Sequence, residues 1–244
     1  MLFDEKWSHD SAVCETVYFF VEFVCVFPWK CVSLNNQNRG KIMDGILRKL
    51  PIGIQTFEKL REGDYLYVDK TALVWRIAST ETPYFLSRPR RFGKSLLLST
   101  FEAYFEGKKE LFEGLAIADM EKEWKTYPVF HLDLNAEKYD SPQALVEILS
   151  RQLTQWELKY GKGEDEETLS GRFAGVIRRA SEQADRGVVV LVDEYDKPLL
   201  QALDDGALLD DYRKTLKAFY GVLKSSDRYL RFVFLTGVTK FAQV

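Results

Sequence analysis

Apolar segments of two kinds alternate along the chain from Met43 onward. Some are short and rich in β-branched or aromatic residues, whereas others repeat their apolar residues at helical spacing. The short segments predict strands at 65–68, 83–87, 129–133, 188–192 and 230–235. The periodic segments predict helices at 70–78, 94–105, 141–159, 167–184 and 207–224. This alternation is typical of an α/β fold with a mostly parallel sheet.

The segment 188–192 is the most informative of the predicted strands. It reads Val-Val-Val-Leu-Val without any polar alternation. A continuous β-branched run of this kind is expected for a strand that is covered on both faces in a parallel sheet. We therefore expect helices on both sides of the sheet, in a three-layer sandwich.

The first 42 residues differ in composition from the rest. They contain all three cysteines and end in a polar stretch at 35–40. Two interpretations remain open: an added element that packs on the domain, or sequence upstream of a start at Met43 that forms no structure. We favour the second, and we assign the domain to residues 43–244. Val244 follows the last predicted strand closely, so we expect a C-terminally truncated domain without a fifth core strand or a lid.

Charge and composition exclude several function classes. Lys and Arg number 34 against 37 Asp and Glu, a net charge of −3, so no global basic field exists for non-specific nucleic-acid binding. The apolar run at 17–27 contains Glu22 and ends at Pro28. It is shorter than the roughly 20 residues that cross a bilayer. Three cysteines without CxxC spacing favour a reducing compartment, so we expect a cytoplasmic protein with no membrane partner.

The strongest chemical signal is the loop from Arg88 to Ser95, between a predicted strand and a predicted helix. It matches the second half of the phosphate-binding pattern GxxxxGK[ST], with Arg88 where the first Gly stands. In that pattern, loop amides surround a phosphate chain, the Lys reaches the β- and γ-phosphates, and the hydroxyl binds Mg²⁺. The predicted nucleotide-binding residues are Arg91, Phe92, Gly93, Lys94, Ser95 and Leu96.

Two carboxylates follow the apolar strand at 188–192. Asp193 and Glu194 stand where a Walker B element would place its acidic residues. Asp193, together with Ser95, is predicted to hold Mg²⁺, and Glu194 is predicted to polarise the attacking water. The other interpretation is a solvated turn after a core strand.

Thr236 ends the last predicted strand and is a third candidate. In P-loop ATPases with an extra strand between the two motifs, a polar residue at this place contacts the γ-phosphate or the attacking water. A role as a turn cap is the alternative. Lys94, Glu194 and Thr236 are therefore the predicted catalytic residues.

Five segments together resemble the prokaryotic AAA-ATPase-like family. They are 50–54, 67–71, 85–95, 192–198 and 234–241. The resemblance spans roughly 49–244 and implies that Arg is usual at the Arg88 position. Members often continue into a C-terminal PD-(D/E)XK nuclease-like domain, which implies a nucleic-acid partner through that missing domain, and self-association is a further possibility.

The resulting hypothesis is a P-loop NTPase-type domain that binds ATP with Mg²⁺ and hydrolyses it slowly. The alternative is a nucleotide-gated switch or interaction module with little turnover, and a P-loop kinase is the weaker third interpretation. A solvated loop face is favoured for Arg90 and Arg91, with contact to phosphates as the alternative. Structural roles are favoured for His131 and Asp133. For Asp69 two interpretations remain open: a helix cap, or a place near the nucleotide, which only the resemblance implies.

Overall fold

The computed structural model describes residues 48–80, 82–135 and 138–239. The chain divides into two compact units, Met1–Lys49 and Leu50–Val244, and the fold given below is that of the second. The expected boundary between residues 42 and 43, the cysteines and the apolar run at 17–27 lie outside the described residues.

Helices and strands alternate in this unit much as the apolar pattern predicts. The strands are β1 (Tyr84–Ser87), β2 (Val129–Asp133), β3 (Val188–Asp193) and β4 (Leu230–Gly237). The helices are α1 (Phe57–Glu62), α2 (Thr71–Ala78), α3 (Lys94–Phe105), α4 (Ala116–Met120), α5 (Pro142–Tyr160), α6 (Leu169–Ala184), α7 (Lys197–Gln201) and α8 (Gly206–Ser225). Short 3₁₀ turns lie at Lys109–Phe112 and Asp227–Tyr229.

The four strands form one parallel sheet in the order β1-β4-β3-β2. The last strand in sequence therefore lies between the first and the third. All six residues of β3 are buried, as expected of a strand covered on both faces. The predicted α/β fold with a parallel sheet is confirmed.

Helices pack on both faces of the sheet. One face carries a core that includes Phe130, Val190 and Val233 and that is closed by α5, α6 and α8. The other face is covered by α3, where Phe101 lies 5.1 Å from Phe232 between ring centroids. Burial of these large apolar side chains is the main stabilising contribution to the sandwich.

The strand predicted at 65–68 is wrong. Only Tyr65 makes a bridge, and the following residues have no regular structure. Leu66 and Val68 are 45% and 59% exposed, so this apolar segment has one solvated side. The segment lies outside the four-stranded sheet and lacks the continuous neighbour that a strand needs for its hydrogen bonds.

The parallel arrangement places the carboxyl ends of all four strands along one edge. Asp133 of β2 pairs in register with Asp193 of β3, and Ser87 of β1 pairs with Gly237 of β4. In open parallel sheets, ligands bind outside this edge. The edge therefore brings together three of the segments that the sequence singled out.

Candidate functional site

The loop between β1 and α3 has two left-handed residues. Arg91 has φ +67° and Gly93 has φ +76°, and both are exposed. Left-handed residues in such a turn direct successive backbone N–H groups towards one side and form a concavity for an anion. Gly93 is also the N-cap of α3, a helix of 12 residues, so the helix N-terminus adds positive potential at the same place.

Lys94 is the first residue of α3 and is almost fully buried, with 5% exposure. Its ammonium donates hydrogen bonds to the carbonyl oxygens of Arg88 and Pro89, over 3.1 and 3.2 Å. The side chain thus reaches back across the loop that precedes it. Ser95 and Leu96 follow on the first turn of the helix and are half-buried. The loop therefore combines a buried cation, a hydroxyl and an anion-binding backbone.

Two strand ends beside the loop are joined by one hydroxyl. Thr236 is fully buried at the end of β4, and its Oγ1 donates to Asp193 Oδ1 over 2.5 Å. The same oxygen accepts the N–H of Glu194 over 3.3 Å. Asp193 is 4% exposed, and Glu194 has the left-handed φ of +50°. The structure therefore places Asp193, Glu194 and Thr236 together, as the topology of the sheet requires.

Backbone hydrogen bonds connect this group to the loop. The N–H of Arg88 donates to the Gly237 carbonyl over 3.0 Å, and Ser87 Oγ donates to the Val238 carbonyl over 2.9 Å. Gly237 lies directly between the two motifs, and a Cβ on it would lie only 2.6 Å from a ring atom of Tyr195. The end of β4 therefore couples the loop entry to the acidic pair.

Asp196 anchors the segment that follows β4. Its side chain is 1% exposed, and Oδ2 accepts the N–H of Val238 over 2.8 Å and the N–H of Thr239 over 2.7 Å. The hydroxyl of Thr239 donates to the same oxygen over 2.8 Å. Three donors on one carboxylate oxygen hold the turn after β3 against the turn after β4. Asp196 lies in the segment 192–198 that carries the resemblance, but the sequence alone indicates no role for it.

His131 and Asp133 lie on β2, at the edge of the described sheet. His131 Nδ1 is 2.9 Å from Glu102 Oε2 on α3. Burial alone would lower the pKa of His131, but the hydrogen bond and the charge of Glu102 outweigh burial and raise it. Asp133 is exposed and its Oδ1 accepts the Asn135 N–H over 2.7 Å. These contacts agree with the structural roles favoured for both residues.

Asn135 and Lys197 also border the acidic pair, and sequence reasoning missed both as site residues. Lys197 Nζ donates to Asn135 Oδ1 over 2.8 Å and lies 3.9 Å from Glu194 Oε2. Their proximity depends on the pairing of β2 with β3. The position of Lys197, three residues after Glu194, was the one available signal.

Ser95 and Asp193 supply oxygen atoms of the kind that Mg²⁺ prefers in proteins. Asp193 Oδ1 is occupied by Thr236, which leaves Oδ2 for a metal or its water. Within 48–80, 82–135 and 138–239, no three His, Cys, Asp or Glu side chains cluster as a dedicated metal site. Mg²⁺ is usually held by one or two carboxylates together with phosphates and waters, so a sparse set of this kind suits it.

None of the described helices is long and apolar enough to cross a membrane.

Comparisons with known proteins give one family and one relative. The chain is 42% identical over 198 residues to an uncharacterized protein in the vnfD 5′ region of Azotobacter chroococcum mcd 1. The alignment covers 81% of this chain and 38% of that protein, so the chain spans well under half of its relative's length. No solved structure matches. Residues 51–244 match the AAA-ATPase-like family, described as Predicted AAA-ATPase, and the chain belongs to that family.

Proposed function

We propose that this chain binds ATP with Mg²⁺ at the carboxyl edge of the sheet and hydrolyses it slowly. One observation carries the proposal: the end of β4 bonds to the loop through Gly237 and to the acidic pair through Thr236. A loop suited to phosphates and a carboxylate suited to a metal are thereby held side by side. Family membership suggests the nucleotide.

The loop and Lys94 would hold the phosphate chain. Arg91, Phe92 and Gly93 are exposed residues of the loop, and Ser95 and Leu96 lie in the first turn of α3. Their backbone N–H groups would bind the phosphate oxygens. The Lys94 ammonium, now bonded to two loop carbonyls, would exchange these bonds for phosphate oxygens. Because a charge-assisted bond to phosphate is stronger than a bond to a neutral carbonyl, ATP favours this exchange.

Ser95 and Asp193 would hold Mg²⁺, and Glu194 would orient the water that attacks the γ-phosphate. The ion neutralises charge on the phosphates when it is bound. Glu194 follows Asp193 directly in sequence, and its backbone has a left-handed conformation. This turn would point the Glu194 side chain in a different direction from the Asp193 side chain. Thr236 keeps the Asp193 carboxylate fixed and would also contact the γ-phosphate or the water.

ATP binding is tested by calorimetry on the 244-residue chain, with and without Mg²⁺. We expect Mg²⁺-dependent binding that Lys94→Ala removes. Lys214→Ala is the matched control, because Lys214 is an exposed lysine on α8. Equal binding by the Lys94→Ala variant and the wild type would contradict the proposed site.

Hydrolysis is tested separately by phosphate release under single-turnover conditions with protein in excess. Glu194→Gln keeps the size of the side chain and removes its charge, so we expect binding to persist and release to stop. Tight binding with negligible release by the wild type would instead favour a nucleotide-gated switch. Release by Glu194→Gln at the wild-type rate would contradict the role given to Glu194.

Macromolecular partners are part of the same proposal. We include self-association and contact with nucleic acid through a nuclease-like domain outside this chain. Self-association is tested by following phosphate release at increasing protein concentration, and the nucleic-acid contact by adding duplex DNA to a chain that includes the nuclease-like domain. An unchanged rate per molecule in either titration would contradict the corresponding partner.

A further inference from the structure

The ammonium of Lys197 lies between the ends of β2 and β3. Its Nζ donates to Asn135 Oδ1 over 2.8 Å and lies 3.9 Å from Glu194 Oε2. The side chains of Lys197 and Glu194 are only 12% and 13% exposed. The ion pair is therefore shielded from most of the solvent that weakens surface pairs.

The backbone holds both partners of this ion pair in place. The Lys197 N–H donates to the Glu194 carbonyl over 2.9 Å, closing a turn at the start of α7. The Glu194 N–H is bonded to Thr236 Oγ1 over 3.3 Å. Since both ends of the turn are fixed, less conformational entropy is lost when the two side chains meet.

Asn135 fixes the direction of the ammonium from the neighbouring strand. Its own N–H is bonded to Asp133 Oδ1 over 2.7 Å, so the residue has a defined orientation after β2. An amide oxygen bonds the ammonium without neutralising it, and lysine has further N–H donors. The remaining positive charge therefore acts on the Glu194 carboxylate.

We propose that Lys197 is a positioning residue for Glu194. By attracting Oε2 across 3.9 Å, the ammonium favours one rotation of the carboxylate, which leaves Oε1 to accept a hydrogen bond from the attacking water. A base held by a third group is a general arrangement in catalysis, because orientation of the base lowers the barrier. This role of Lys197 rests on the proposed hydrolysis. Lys197 itself is not one of the predicted nucleotide-binding residues.

The test compares Lys197→Met with Lys197→Arg in the 244-residue chain. Lys197→Met keeps the length and apolar stem of the side chain and removes the charge. We expect the single-turnover rate to fall about tenfold, as for other residues that orient a reacting group, with the Kd for Mg²⁺-ATP unchanged. Lys197→Arg should recover most of the rate, because it restores a cation within reach of Asn135. Lys214→Met, on the exposed face of α8, is the matched control.

A second variant separates positioning from general damage. Asn135→Ala removes the anchor from the other side and should lower the rate in the same direction. This second variant tests the inference even if Lys197→Met unfolds, which circular dichroism would detect.

The outcomes distinguish this inference from the proposed function. An active wild type with an unchanged rate in Lys197→Met or Asn135→Ala overturns the inference alone. A matching loss of ATP affinity in Lys197→Met also overturns it, since the residue would then act in binding. A wild type that binds Mg²⁺-ATP but releases no phosphate overturns the proposed hydrolysis, and the positioning role with it.

Discussion

The hydroxyl of Thr236 donates to Asp193 Oδ1 over 2.5 Å and accepts the Glu194 N–H over 3.3 Å. One buried group thus fixes a carboxylate at the end of β3 and the backbone of the next residue. The expected contact of Thr236 with a γ-phosphate stays a prediction. The structure gives the hydroxyl a task that does not depend on nucleotide, because it already holds the residues proposed to bind the metal and the water.

Replacing Thr236 with Val should weaken both the fold and Mg²⁺-dependent ATP binding. Valine keeps the shape but leaves the buried Asp193 oxygen without its donor. Leaving a buried polar group unsatisfied costs about 1–3 kcal/mol, which urea denaturation would measure. Thr236→Ser keeps the hydroxyl and serves as the control. A Val variant as stable as the wild type would contradict the importance of this hydrogen bond.

Two glycine-to-alanine changes should have opposite effects on stability. A Cβ at Gly93 or at Gly221 would meet no atom within 4 Å, so crowding is absent in both. Gly93 has φ +76°, where an L-residue costs about 1–2 kcal/mol. Gly221 lies inside α8, where alanine should stabilise by about 0.5–1 kcal/mol. Chemical denaturation of the two variants checks the signs, and a stabilised Gly93→Ala would rule out the left-handed turn.

Arg172 and Glu157 form a bidentate pair between α6 and α5. The guanidinium donates to Oε1 over 2.8 Å and to Oε2 over 2.7 Å, and the side chains are 10% and 6% exposed. Arg172→Met would leave a buried carboxylate unpaired and should destabilise by about 3 kcal/mol. The double variant with Glu157→Leu should recover much of this loss. Thermal or urea unfolding of the single and double variants measures the coupling energy between Arg172 and Glu157. A small effect of Arg172→Met on stability would contradict the importance of this ion pair.

Asp69 should contribute to stability only above acidic pH. Burial opposes its ionisation, but hydrogen bonds from Thr71 and from the Ala116 N–H outweigh it and lower its pKa below the usual 3.8. The unfolded chain therefore binds a proton first as the pH falls, and the contribution is lost as the pH passes down through the folded pKa. Asp69→Asn should be less stable than the wild type at pH 7.

The difference in unfolding free energy between the wild type and Asp69→Asn is expected to be modest, because Asp69 is exposed and solvent screens its charge. Unfolding midpoints of the two proteins should be measured from pH 7 down to pH 3. The difference between the midpoints should stay constant down to about pH 3.8 and become smaller below it. A gap that stays constant over the whole range would mean that the ionised carboxylate contributes nothing beyond its shape.

Local pattern predicted most elements of this fold because apolar periodicity reflects local geometry. The bounds expected for α3 and β2 match the structure, and those of β3 and β4 end within two residues of it. The strand predicted at 65–68 is wrong because its apolar residues have one solvated side and no pairing strand. The short helices α1, α4 and α7 were not predicted, because fewer than two turns give no periodicity to detect.

The sequence by itself determined which residues could do chemistry here, since a Gly-Lys-Ser loop before a helix and an acidic pair after a buried strand are features of adjacent residues. Only the tertiary structure decided which of them meet. Placing β4 between β1 and β3 brings Thr236 to Asp193, and pairing β2 with β3 brings Asn135 to Lys197. Strand order depends on how crossover helices pack across the whole sheet, so no local pattern contains it.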